Sequence, residues 1–150
     1  MKSSPRLVQW RHGHGGTETA SLGSGVPRAR TEGRDHKYPD VSALCSEPEF
    51  LDEQKDSLLN PSLIVEVLSE SSEAYDRGAK FRAYRQLSSF ADYLLISQDQ
   101  MLVEHYEHRG GEWVLHEHTE PDAVVKLLSL GARELRLREL YREIELHQSP

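Results

Sequence analysis

Residues 62–68 read Ser-Leu-Ile-Val-Glu-Val-Leu, set between Asn60-Pro61 and Ser69-Glu70-Ser71-Ser72. The run is apolar, rich in β-branched residues and bounded on both sides by turn formers, the pattern of a buried strand. Glu66 interrupts it. Side chains alternate along a strand, so Ile64, Glu66 and Leu68 share one face, and Leu63, Val65 and Val67 share the other. A buried ionised carboxylate is costly unless it is paired or binds a cation. The stretch therefore predicts both a central strand and a buried acid that requires a partner.

Working outward, Ser71 or Ser72 can cap a helix running to about Leu87, with Phe81, Tyr84 and Leu87 on one face. Residues 92–97 (Asp-Tyr-Leu-Leu-Ile-Ser) form a second buried-strand pattern. Residues 101–108 and 112–118 flank Gly110-Gly111, a hairpin signal. Residues 123–128 read as a final strand, and 136–145 suit a short amphipathic helix. Upstream, residues 38–45 read as a strand with Pro39 at its start, where a missing N–H is tolerated. Residues 46–60 are acidic and loop-like. Two strands, a helical crossover, a third strand and a hairpin make a mixed α/β pattern.

The chain has 150 residues, one domain's worth, with 18 Lys plus Arg against 25 Asp plus Glu, a net charge of −7. That balance excludes a histone-like or tail-type nucleic-acid binder. The charge is uneven. Residues 1–37 hold seven basic and three acidic side chains, so the rest carries −11. Residues 1–36 are also rich in Gly, Ser and Arg with little apolar periodicity, and are expected to be disordered or loosely attached. The ordered domain is expected over 37–146, with 147–150 as a tail. No run approaches the roughly 20 apolar residues of a membrane helix, and no apolar h-region follows Lys2 and Arg6. Cys45 is the single cysteine, which excludes an internal disulfide. A reduced cytoplasmic protein without membrane attachment is expected.

The chemistry-bearing residues are few. Asp40 begins one apolar strand and Glu66 lies within another. Two carboxylates converging from neighbouring strands make a hard-oxygen site suited to Mg²⁺ or Mn²⁺. Lys80 lies one turn after Asp76 on the helix that leaves the Glu66 strand. A lysine there can hold an attacking water or neutralise a phosphate. Arg77, Lys80, Arg82 and Arg85 give this helix a basic character. The plainer readings are a turn acid at Asp40, a core salt bridge at Glu66 and a solvent-exposed i,i+4 pair at Asp76 and Lys80.

Several motifs in order resemble one family. They are Tyr38-Pro39-Asp40-Val41, then Cys45-Ser46-Glu47-Pro48-Glu49-Phe50, then Asn60 through Ser69, then Ser71 through Arg85. Asp92-Tyr93-Leu94-Leu95-Ile96-Ser97 and Val103-Glu104-His105-Tyr106 follow. Together, over roughly 38–146, they resemble the Uma2 (DUF820) family of the PD-(D/E)XK restriction-endonuclease-like superfamily. The resemblance implies a restriction-endonuclease-like mixed sheet flanked by helices, and Mg²⁺-dependent hydrolysis of DNA phosphodiesters. It implies Asp40 and Glu66 as metal ligands and Lys80 as the catalytic lysine. The signature's usual lysine position holds Leu68 instead, and Lys80 on the following helix stands for it. Arg77, Arg82 and Arg85 are the candidates for DNA phosphate, with Ser69 and Asp76 in support. Residues 1–36 do not share the resemblance. The N-terminal part is therefore expected to be atypical and incomplete, leaving the sheet without an edge strand and Asp40 on an exposed edge.

Other features carry plainer readings. His105, His108, His116 and His118 fall on the hairpin and are expected on its exposed polar face rather than around zinc. Cys45 is expected as a small core residue and Trp113 as hairpin packing. Arg133, Arg136, Arg138 and Arg142 are expected on a solvated helix face. Beside the nuclease reading stand two others: an inactive remnant that binds DNA or a protein, and a truncated, non-functional fragment. A homodimer fits both an exposed sheet edge and double-strand cutting.

Overall fold

The order of apolar runs produces a mixed sheet, seen in a computed structural model that describes residues 6–9 (backbone only), 39–50, 58–144 and 146. Among the described residues, six strands lie side by side in chain order. They are β1 (Arg6–Gln9), β2 (Val41–Leu44), β3 (Leu63–Leu68), β4 (Asp92–Ser97), β5 (Val103–Arg109) and β6 (Glu112–His118). The β3–β4 pair is parallel, with Glu66 opposite Leu95, because a helical crossover separates the two strands. The other neighbouring pairs are antiparallel. Gly110 and Gly111, both at positive φ, close the β5–β6 hairpin.

The crossover is one continuous helical run made of α1 (Glu73–Tyr75), a π turn (Asp76–Lys80) and α2 (Phe81–Tyr84). It is shorter than the span to Leu87 expected from periodicity. The Ser72 side chain makes no capping bond to the helix. The Ser69 carbonyl instead accepts the N–H groups of Ser72 and Glu73 at 3.1 and 2.9 Å, and the Ser72 hydroxyl accepts the Ser69 N–H at 3.2 Å. Phe81, Tyr84 and Phe90 cover the sheet face that carries Ile64, Leu68, Tyr93 and Leu95. Phe81 is the hub of this layer. Its ring stacks on Tyr93 at 5.0 Å, tilts on Tyr106 at 4.7 Å and meets the edge of Trp113 at 5.2 Å. Trp113 thus packs as expected.

The C-terminal residues cover the opposite face. There β7 (Val124–Leu127), a 3₁₀ turn (Leu128–Leu130), β8 (Arg133–Arg136) and α3 (Leu137–Leu140) follow in order. Val125, Leu127, Leu130, Leu137 and Tyr141 pack against Leu63, Val65, Leu94, Ile96 and Val103. Cys45 lies at the margin of this core, as expected, with its thiol 3.3 Å from the Ser129 carbonyl.

Four expectations need correction. The N-terminal segment does supply an edge strand: β1 pairs with β2, from Arg6 opposite Leu44 to Gln9 opposite Val41. The strand that follows Asp40 is therefore internal to the sheet; the remainder of 1–36 lies outside the described residues. Residues 123–128 do not end the strands, because Gly131 and Ala132 at positive φ reverse the chain and pair β8 with β7. The helix expected over 136–145 is consequently the single turn of α3, and Arg133 and Arg136 are exposed on a strand. His105 does not sit on a solvated face. It is 2% exposed, with Nε2 2.6 Å from Asp92 Oδ1, while Asp92 Oδ2 accepts the Ser129 N–H at 3.1 Å. These bonds tie the 3₁₀ turn to β4 and β5.

Removing the hub of the aromatic layer leaves a cavity lined by rings that cannot collapse fully. Phe81→Ala is expected to lower stability by about 3–5 kcal/mol, read from urea denaturation. A loss below about 1 kcal/mol would mean that the layer repacks around the gap.

Candidate active site

Val41 opposes Val65 across the β2–β3 ladder. Asp40, one residue before, therefore stands opposite Glu66, one residue after, and on the same face. The contacts agree. The Asp40 N–H donates to Glu66 Oε2 at 3.4 Å, and Asp40 Oδ2 accepts the Val67 N–H at 2.7 Å. Asp40 is exposed, whereas Glu66 is only 2% exposed. The pair thus has one carboxylate at the surface and one beneath it.

The π turn brings in the other two groups. A π turn widens the helix to i→i+5 bonding and recurs at functional sites. Here it directs Asp76 and Lys80, four residues apart, toward the sheet, leaving them 3% and 8% exposed. The plainer reading of a solvent-exposed pair is excluded by that burial. Lys80 Nζ lies 2.6 Å from Glu66 Oε1 and 3.3 Å from Asp76 Oδ1. One ammonium is therefore shared between two buried carboxylates.

Two tyrosines complete the arrangement. The Tyr84 hydroxyl donates to Glu66 Oε1 at 3.1 Å, and the Tyr93 hydroxyl donates to the Asp76 carbonyl at 3.0 Å. Burial first, and then the Glu66 charge, push both phenols up, so each stays protonated and acts as a donor. Neither hydroxyl was singled out by reading the sequence, where Tyr84 counts as an apolar-face residue. The signal was the i, i+4, i+8 spacing of Asp76, Lys80 and Tyr84.

Burial pushes the Glu66 carboxyl up to about 7. Lys80 opposes this through its charge and its hydrogen bond, while the charges of Asp40 and Asp76 add to it. Near neutrality Glu66 is thus poised between its two protonation states.

The arginines of the helical run divide. Arg77 is committed to carboxylates. Its Nε donates to Glu104 Oε2 at 3.0 Å, and its terminal nitrogens reach Glu104 and Glu73. It pins the helix to β5 and does not offer its charge outward. Arg82 and Arg85 are exposed, and the Arg85 guanidinium lies 5.0 Å from the centre of the Phe81 ring. The Ser69 hydroxyl bonds to that of Ser72 at 2.9 Å, at the turn between β3 and the helix.

Asp40 and Glu66 offer hard oxygens. Among the described residues no three His, Cys, Asp or Glu side chains are grouped as a metal cage. A two-carboxylate set suits an ion such as Mg²⁺, which takes one or two carboxylates and fills its other positions with water and phosphate. It does not suit a closed structural zinc site.

Comparisons with known proteins give the family and the fold. Residues 6–138 match Uma2, a family described as "Putative restriction endonuclease", and the chain belongs to that family. The match begins at β1, upstream of the resemblance read from the motifs. An uncharacterised protein of Synechocystis sp. is 42% identical over 87 residues, covering 57% of this chain and 49% of that protein. A second from the same organism is 36% identical over 99 residues, covering 65% and 50%. The chain thus matches about half the length of these curated relatives. A solved structure described as "a putative nuclease belonging to DUF820", from Anabaena variabilis, superposes with a TM-score of 0.57 at 19% identity. It covers 73% of this chain and 62% of that one. That likeness shows the nuclease-like α/β fold.

The raised Glu66 value has a sign that can be checked. The folded chain binds the Glu66 proton more tightly than the unfolded chain does. The contribution of Glu66 to stability therefore falls as pH rises from 4.5 to about 7 and levels off above. Across that window the stability of Glu66→Gln is expected to gain on the wild type by no more than about 3 kcal/mol, measured without divalent cations. A flat difference would mean that Glu66 titrates near its ordinary value.

Proposed function

We propose that this chain is a metal-dependent endonuclease that hydrolyses DNA phosphodiester bonds, with Mg²⁺ or Mn²⁺ as cofactor. The observation that carries the reading is the convergence of Asp40, Glu66 and Lys80, from two strands and a helix, at a single point. Lys80 meets Glu66 at 2.6 Å, and Asp40 faces Glu66 across the β2–β3 pair. The family description supports the same reading.

In this reading Asp40 and Glu66 hold the cation. Bound there, a divalent ion supplies a Lewis acid for a phosphoryl oxygen and lowers the pKa of water. The Lys80 ammonium orients the attacking water or meets charge developing on the phosphate. Asp76, 3.3 Å from Lys80 Nζ, holds that ammonium aimed at the site. Tyr84 fixes the Glu66 carboxyl in one orientation. Arg82 and Arg85 contact DNA phosphates, while Arg77 holds the helix in place and Ser69 anchors its start. The net charge of −7 works against tight non-specific binding, which depends on phosphate neutralisation, so these few local cations carry the DNA contact. A cytoplasmic site of action goes with this reading. No helix among the described residues is long and apolar enough to cross a membrane.

Calorimetric titration with Mg²⁺, paired with cleavage of supercoiled plasmid, tests the proposal. The wild type is expected to bind and cut, and the Asp40→Asn/Glu66→Gln double variant to do neither while remaining folded. Lys80→Ala is expected to retain Mg²⁺ binding and to cut about a hundredfold more slowly or worse. Mg²⁺ binding that survives the double variant would remove these carboxylates from the site. A folded wild type that binds neither Mg²⁺ nor Mn²⁺ and cuts nothing would leave an inactive nuclease-fold scaffold.

A further inference from the structure

β6 is the last strand of the sheet. All seven of its residues, Glu112–His118, pair with β5 along one edge, and among the described residues no strand pairs with the other edge. Exposed edges are usually blunted by proline, charged side chains (above all lysine), a bulge or short length, and β6 has only Glu112 and Glu117 of these. Glu-Trp-Val-Leu-His-Glu-His has no proline, lysine or glycine, and its ladder to β5 runs without a bulge. Two adjacent apolar residues stand out on it, one on each face: Val114 at 38% and Leu115 at 44% exposure.

We propose that this edge pairs antiparallel with the same edge of a second copy of the chain, about a two-fold axis at Leu115, joining the two sheets into one.

The register follows from the side chains. A two-fold axis perpendicular to the sheet keeps like faces together, so only residues of the same face can oppose one another. Centred on Leu115, all seven residues pair. Leu115 meets itself, Val114 meets His116, Trp113 meets Glu117 and Glu112 meets His118. Each carboxylate then faces a ring that carries an N–H: the Trp113 indole always, and the His118 imidazole even when neutral. No like charges are opposed, and an apolar pair sits on the axis. Moving the centre to Val114 sets Glu117 and His118 against Gly111 and Gly110 of the turn. Moving it to His116 sets Glu112 against Glu120 and His116 against itself. The self-complementary charge and donor pattern thus selects one partner, a copy of this strand, and one register.

Sedimentation velocity of the full chain tests this with Leu115→Lys and Leu115→Glu. The wild type is expected to dimerise. Each variant alone is expected to be monomeric with an unchanged circular dichroism spectrum, because two like charges meet on the axis. An equimolar mixture of the two variants is expected to dimerise again, because position 115 faces itself. A wild type that stays monomeric at high concentration overturns the proposal. So does a dimer that survives in both variants, or a pair of folded monomeric variants that fail to associate on mixing. If either variant loses its fold, Leu115→Cys in a Cys45→Ser background decides instead. Opposed residues in this pairing lie within disulfide reach, so mild oxidation is expected to yield a 115–115 linked dimer. Failure to cross-link there, or equal cross-linking in an Arg133→Cys control, overturns the proposal.

Discussion

The contact between Lys80 and Glu66 sets the terms for much of the structure. Both groups lie inside the protein, where an unpaired charge is expensive and breaking a pair leaves an uncompensated ion. Their 2.6 Å separation fixes the depth and rotation of the helical run over β3. Tyr84 bonds to the same Glu66 oxygen one turn later. The aromatic layer around Phe81 then fills the space beside this polar column. Hydrophobic packing therefore stabilises the layer, while the ion pair determines where along the strand the helix sits.

The two faces of the sheet solve the burial problem in parallel ways. On the helical face, Glu66 is met by Lys80 and Tyr84. On the other face, Asp92 is met by His105 and by Ser129, which together satisfy both of its oxygens. Each carboxylate ties a covering layer to the central parallel pair. They differ in access: the Asp92 network is enclosed, whereas the Glu66 column reaches the surface at the exposed Asp40. That difference separates a structural cluster from a candidate site more clearly than residue type does.

The central strand, the crossover and the hairpin were legible because their apolar periods are long and bounded by turn residues. Glu66 stood out as the one acid in an apolar run, and Asp76 and Lys80 as an i,i+4 pair. What escaped had a non-local cause. Arg6–Gln9 is only four residues in a Gly-rich and Ser-rich segment, and becomes a strand because β2 offers it an open edge. Arg133–Arg136 holds one apolar residue, Leu135, among three charged ones, too few to distinguish a helix from a strand. The reversal at Gly131 and Ala132 decides between them. His105 resembles the other hairpin histidines in sequence, and only its distant partner Asp92, itself held by Ser129, distinguishes it. The π turn leaves no clear local trace.

That turn also bears on how the fold tolerates change. A π turn is an α-helix carrying one surplus residue, and in an α-helix each residue advances the side-chain direction by about 100°. Loss of a single residue between Asp76 and Lys80 would let the run relax into a regular helix with its backbone bonding intact. It would also swing one of these two side chains away from the sheet. Substitutions can loosen this arrangement gradually, but a one-residue deletion would break it at once while leaving a chain that still folds as a helix. The helical run is therefore a point where the scaffold can be kept while the pairing of Asp76 with Lys80 is lost in a single step.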